Sequence, residues 1–201
     1  MTKKSGEHSR DIELLYEMGS LACMDRGWRQ HFGMKVESDL EHMYRVVWLA
    51  LLIARMEGSG DEALIMKMAL MHDLAESRTG DASYVQKVYV TADEDRSASD
   101  MLAGTSFPDF YDAFARYEKR DSIEAKLVKD ADNLEVDLEL KELEERGSLL
   151  PKKLADTRRK VRDEKLYTKS AKELWDAIQV SDVSSWHRAA NKWVKLPHAG
   201  R

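Results

Sequence analysis

Apolar residues recur at helical spacing along almost the whole chain, and the breaks between runs are short. Leu14, Leu15, Met18 and Leu21 share one face of a helix predicted from Asp11 to about Asp25. An irregular stretch, RGWRQHFGMKVES, follows. Ser38 or Asp39 then caps a helix that carries His42, Val46, Leu49 and Ile53 on one stripe and ends near Glu57, before GSGD. The next predicted helix, 61–77, turns Leu64, Met68, Met71, His72 and Ala75 inward, and Gly80 ends the turn behind it. Residues 83–119 read as two or three helices with a break from Gly104 to Pro108. A long helix from about Ser122 to Glu145 stops near Gly147-Ser148, and Pro151 opens a stretch rich in Lys and Arg. Helices over 164–180 and 182–194 complete the pattern, between polar tails at 1–9 and LPHAGR.

Composition agrees with that pattern. Three prolines and ten glycines are few for 201 residues, and good helix formers are plentiful, so the expected fold class is all-α, a helical bundle. The length favours one domain over 1–201, with a core at about 10–145 and C-terminal helices at about 150–194. A net charge of −5 with both signs interspersed argues against polymeric nucleic acid or a membrane surface as partner. Cys23 is the single cysteine, which excludes an intrachain disulfide and a cysteine zinc cluster. No apolar run approaches a membrane span and no signal-peptide core follows the N-terminal lysines, so a cytoplasmic location is expected.

Several hard-to-bury groups fall at positions that the apolar pattern assigns to the core. His72-Asp73 enters the polar run MHDLAESRTGD from an apolar one. His42 lies on the stripe that builds the core face of its own helix. In EAKLVKDADNLEVDLELKELEE, Asp132 sits four after Val128 and four before Val136, on or beside the apolar arc. Lys126, Asp130, Asn133, Asp137 and Lys141 form the opposite face, with Asp130 and Asp137 expected toward solvent. An inward carboxylate without a partner costs several kcal/mol, so Asp132 requires a metal or a buried arginine. Two imidazoles and two carboxylates are a mixed nitrogen–oxygen donor set that suits a divalent ion. Glu76, four after His72, lies on the same wall. Asp81, after a Thr-Gly turn, reads either as a site residue or as the cap of the next helix.

These stretches carry a resemblance. RGW at 26–28, ESDLEHMYR at 37–45, HDLAESRTGD at 72–81 and LVKDADNLE at 127–135 resemble the HD-domain metal-dependent phosphohydrolases, whose signature is H…HD…D. More narrowly the chain looks like the short stand-alone branch that includes bacterial 5′-deoxynucleotidases and the HD-domain-containing protein 2 family. The resemblance covers about residues 10–145. It implies metal ligands His42, His72, Asp73 and Asp132, catalytic acids Glu76 and Asp81, and substrate contacts from Trp28 and an arginine. Arg26 is preferred for that arginine over Arg29.

The implied reaction is hydrolysis of a phosphomonoester, a (deoxy)ribonucleoside 5′-monophosphate foremost. It would use water activated by one divalent ion: Mn or Co first, then Fe, Ni, Zn or Mg. Glu76 would orient or deprotonate the nucleophile, Asp81 would assist the leaving oxygen, and Arg26 would bind the phosphate. Trp28 packs either on the sugar or base or in the core. Tyr84 and Tyr89 are candidates for a nucleoside pocket. The absence of histidine from residues 85–120 favours a one-metal site. Another HD phosphoesterase, acting on a cyclic nucleotide, a triphosphate or a different phosphate ester, is the competing enzyme reading. A metal-stabilised binding protein is the reading from a different class. A homodimer is the family-based expectation; Trp186 and Trp193, seven apart on one helical face, form either a packing stripe or part of that surface. His8 and His198 fall in the tails, and nothing in the sequence pairs with His31.

Overall fold

A computed structural model describes residues 8–189. The described residues are helical throughout their regular structure: α1 (Ser9–Ser20), α2 (Arg29–Phe32), α3 (Asp39–Glu57), α4 (Glu62–Met71), α5 (Glu76–Thr79), α6 (Glu94–Leu102), α7 (Asp109–Lys119), α8 (Ile123–Glu145), α9 (Leu150–Glu164), α10 (Lys169–Gln179) and α11 (Ser185–Ala189). The only pairing of strand type among them is an isolated antiparallel bridge between Asp25 and Ser38. The expected all-α class holds. Trp193, His198 and the end of the helix expected over 182–194 lie outside the described residues.

The helix starts follow local chemistry. Ser38 Oγ accepts from the Glu41 N–H while Glu41 Oε2 accepts from the Ser38 N–H, a reciprocal capping box that fixes α3 one turn before His42. Asp61 caps α4, Ser122 caps α8 and Thr168 caps α10. Gly58, at φ 63°, ends α3 in the left-handed conformation that glycine adopts without strain.

α8 is the axis of the fold. Its Leu127, Val128, Ala131 and Leu134 meet Val46, Ala50 and Ile53 of α3, Ile65 and Met68 of α4 and Tyr117 of α7 in the main core. Each large aliphatic side chain fully buried there contributes about 1.5–3 kcal/mol. A second cluster joins Leu14 and Leu21 to Met71, Leu74, Met101 and Phe114. Between the two lies the end of α4, where His72 and Asp73 follow.

Asp130 and Asp137 are buried rather than solvent-facing. α9 and α10 cover the face of α8 that reads as polar, and they supply its partners. Asp130 accepts from the backbone N–H groups of Tyr167 (2.7 Å) and Thr168 (2.8 Å) and from the Thr168 hydroxyl (2.7 Å), which anchors the start of α10. Asp137 receives Arg158 of α9 through Nε (3.0 Å) and Nη2 (2.6 Å).

The single helix expected over 61–77 is also broken. α4 ends at Met71, and the chain continues through i to i+3 hydrogen bonds, Leu74 N to Met71 O and Glu76 N to Asp73 O, before α5. This tightening advances each residue by about 120° instead of about 100°. It alters the fan of His72, Asp73 and Glu76.

Candidate metal centre

α3, the end of α4 and α8 each contribute to one cluster. His42, His72, Asp73 and Asp132 all offer a donor atom within 4.8 Å of one another. His42 Nε2 lies 3.3 Å from His72 Nε2, 3.3 Å from Asp132 Oδ1 and 3.5 Å from Asp73 Oδ2, while His72 Nε2 is 3.4 Å from Asp73 Oδ2. The far nitrogens are both occupied. His72 Nδ1 donates to the carbonyl of Ala69 at 2.7 Å, and His42 Nδ1 is 2.7 Å from Glu135 Oε2. Two Nε2 atoms thus face each other with their Nδ1 atoms already tied to acceptors. Spacings of 3.3–3.5 Å suit donors that share one ion at about 2.0–2.2 Å. The donor set fits a divalent metal.

Around this cluster the charges are dense. Arg26 places Nη1 3.3 Å from Asp73, 3.3 Å from Asp81 and 3.5 Å from Asp39. Lys129 Nζ donates to Asp132 Oδ2 at 2.6 Å. Burial pushes Asp73 up, but His72, His42 and Arg26 outweigh it and hold the carboxyl below the usual range. Burial likewise opposes ionisation of Asp132, and Lys129 with the two histidines prevails. For His42, burial and Arg26 push downward, yet the carboxylates of Asp132, Asp73 and Glu135 hold it well above its ordinary value. His72 moves the other way, lowered mainly by burial.

Glu76 is buried in the first turn of α5, and its Oε2 has no hydrogen-bond partner. Burial, with Asp73 and Asp81 beside it, pushes Glu76 up to about 10. Asp81 does not cap a helix: Oδ2 accepts from the Gly27 backbone N–H at 2.9 Å and faces Arg26. A Cβ at Gly27 would lie 2.4 Å from the Asp81 carbonyl oxygen, so this approach requires glycine. Asp39, Glu76 and Asp81 form a second acidic group within the same distance limit as the first cluster.

The structure separates the two arginines. Arg26 is largely buried among the acids, whereas Arg29 pairs with Asp25 at the surface. Arg26 and Asp81 also line a cavity of about 520 Å³ with Gly27, Arg29 and Gln86. Trp28 packs its ring 6.3 Å from that of Phe32 and leaves a buried Nε1 without a partner. Tyr84 and Tyr89 are exposed on the loop after Asp81. His31, for which no partner was expected, meets the Ser83 hydroxyl at 3.0 Å.

Sequence reasoning missed Asp39, Glu135 and Lys129. Asp39 reads as an ordinary acid in a helix first turn. Glu135 had a signal, because it stands one turn after Asp132 on the same wall.

A model of the HD domain matches residues 18–179. The chain belongs to the HD-domain family. The match runs through α9 and α10, beyond the span of about 10–145 that the sequence resemblance covers. The chain is 34% identical over 141 residues to the 5'-deoxynucleotidase HDDC2 of Danio rerio, covering 67% of this chain and 70% of that protein. It is 32% identical over 161 residues to the protein of the same name from Dictyostelium discoideum, covering 73% and 84%. Among solved structures, the PH0347 protein from Pyrococcus horikoshii OT3 superposes with a TM-score of 0.66 at 27% identity, over 84% of this chain and 96% of that one. A predicted metal-dependent phosphohydrolase from Magnetospirillum magnetotacticum MS-1 shares the fold, with a TM-score of 0.64 at 20% identity over 85% and 92%.

Proposed function

We propose that this HD protein is a metal-dependent 5′-nucleotidase that releases phosphate from deoxyribonucleoside 5′-monophosphates. The observation that carries the reading is the convergence of His42, His72, Asp73 and Asp132 beside the buried carboxyl of Glu76. The relatives called 5'-deoxynucleotidase supply the substrate class. His42, His72, Asp73 and Asp132 hold one divalent ion, manganese or cobalt foremost. When bound, that ion activates water and neutralises charge on the phosphoryl group.

The chain's own residues do the rest. Arg26, at the edge of the 520 Å³ cavity, binds phosphate oxygens, and its neighbouring acids set the guanidinium's position. Trp28, next to Gly27 of the cavity wall, packs on the sugar or base. Glu76 orients the attacking water, and Asp81, held by Gly27, serves the leaving oxygen.

We also infer a homodimer. Tyr44, Trp48 and Leu52 form an exposed ridge at i, i+4 and i+8 on the outer face of α3, which a second copy would cover by two-fold pairing. Trp186 is exposed as well. Among the described residues no helix is long and apolar enough to cross a membrane.

Metal analysis tests the assignment of roles. Wild-type protein should carry about one divalent ion per chain, and Asp132→Ala should lose it. Glu76→Ala should keep the ion and lose most turnover. A fully active metal-free protein sinks the scheme, and full activity in Glu76→Ala makes that residue a bystander.

A further inference from the structure

We propose that Glu135 is a positioning residue for the metal centre: its carboxylate fixes the His42 ring through Nδ1, with Nε2 turned toward His72, Asp73 and Asp132, and Arg45 holds that carboxylate in place. The inference rests on the reading of His42 as a ligand.

The geometry is a two-link support. Glu135 is fully buried on α8, with Oε2 2.7 Å from His42 Nδ1; its Oε1 is ion-paired with Arg45 Nη2 at 2.6 Å without the alignment of a hydrogen bond. Arg45 stands three residues after His42 on α3, and Glu135 stands three after Asp132 on α8. Each helix therefore presents one candidate ligand and, a turn later, one member of the supporting pair. Arg45 is itself tied down, donating to Glu142 Oε1 at 2.8 Å and to Glu37.

The two histidines differ in how their rings are held. His72 is anchored by a backbone carbonyl, which no side-chain substitution removes. The orientation of His42 depends on a side chain. An imidazole that donates Nδ1–H to a carboxylate presents an unprotonated, more basic Nε2 to a metal, and outer partners of this kind carry about 10–100-fold in metal affinity. A buried ion pair that served packing alone would have no reason to meet the far nitrogen of a ligand.

The test is titration of the full chain with cobalt(II), followed by calorimetry and by the visible absorption of the bound ion. Glu135→Ala should weaken cobalt binding about 10–100-fold and alter the visible bands. Glu135→Gln, whose amide oxygen still accepts from Nδ1–H, should recover most of the loss. If Glu135→Ala does not fold, Glu135→Asp carries the same expectation, because it withdraws the carboxylate by one methylene. Unchanged cobalt affinity in a folded Ala or Asp variant overturns the proposal, as does a Gln variant that binds no better than Ala. Failure of the wild-type chain to bind cobalt overturns the metal centre itself, and this inference with it.

Discussion

Arg158→Met should be among the most destabilising single changes outside the site. Arg158 on α9 and Asp137 on α8 are both nearly inaccessible, at 6% and 3% exposure. The guanidinium makes two hydrogen bonds to the carboxylate and a third, at 2.6 Å, to the Asn133 carbonyl. Burial already raises the Asp137 pKa even with Arg158 present. Methionine fills much of the volume but leaves the carboxylate buried and unpaired. Breaking a buried pair in this way costs about 3–5 kcal/mol, whereas an exposed pair costs about 0–1. At about 2–4 °C per kcal/mol for a chain of this size, the melting temperature should fall by roughly 6–20 °C. Thermal and urea unfolding measure the loss. The double variant Asp137→Leu with Arg158→Met should return most of the stability, because replacing both partners removes the stranded charge. A loss below about 1 kcal/mol in Arg158→Met would refute the claim that α9 seals this face of α8.

Three further outcomes follow from particular contacts. Burial and the Glu37 carboxylate push Glu139 up to about 7, so ionising it costs the folded state; that cost grows as pH rises from about 4.5 to 7 and is constant above. Glu139→Gln should therefore be more stable than wild type by about 3 kcal/mol at pH 8 and equal to it near pH 4.5, and a pH-independent difference in urea unfolding would contradict this. Gly27→Ala should cost well over tenfold in phosphate release while the far-ultraviolet circular dichroism stays helical, because its Cβ collides with the Asp81 carbonyl oxygen 2.4 Å away; activity equal to wild type would remove Gly27 from the site. Trp48→Glu, on the exposed ridge of α3, should give monomers by light scattering; an unchanged dimer would place the interface elsewhere.

The helix phase of His42 and Asp132 was readable because both fall on apolar stripes, and the structure brings them to His72-Asp73. Asp130 and Asp137 were misread because a polar stripe on a helix looks the same whether water or a second layer of helices covers it. Only the fold shows Arg158 and Thr168 arriving to satisfy them. The break at Met71 was hidden for a related reason. The apolar pattern runs on through Leu74 and Ala75, while the backbone tightens to i+3 hydrogen bonds that periodicity does not register. Asp39 left no trace at all: capping chemistry and a buried contact to Arg26 ask for the same residue type at that position.

Phosphomonoester hydrolysis is what the cluster of His42, His72, Asp73 and Asp132 is proposed to serve. The most direct measurement is phosphate release from a panel of deoxyribonucleoside and ribonucleoside 5′-monophosphates and unrelated phosphate esters, with manganese or cobalt present. Release from the deoxyribonucleoside monophosphates should be metal-dependent and abolished in Asp132→Ala. Metal-loaded protein that releases phosphate from no monophosphate would contradict it.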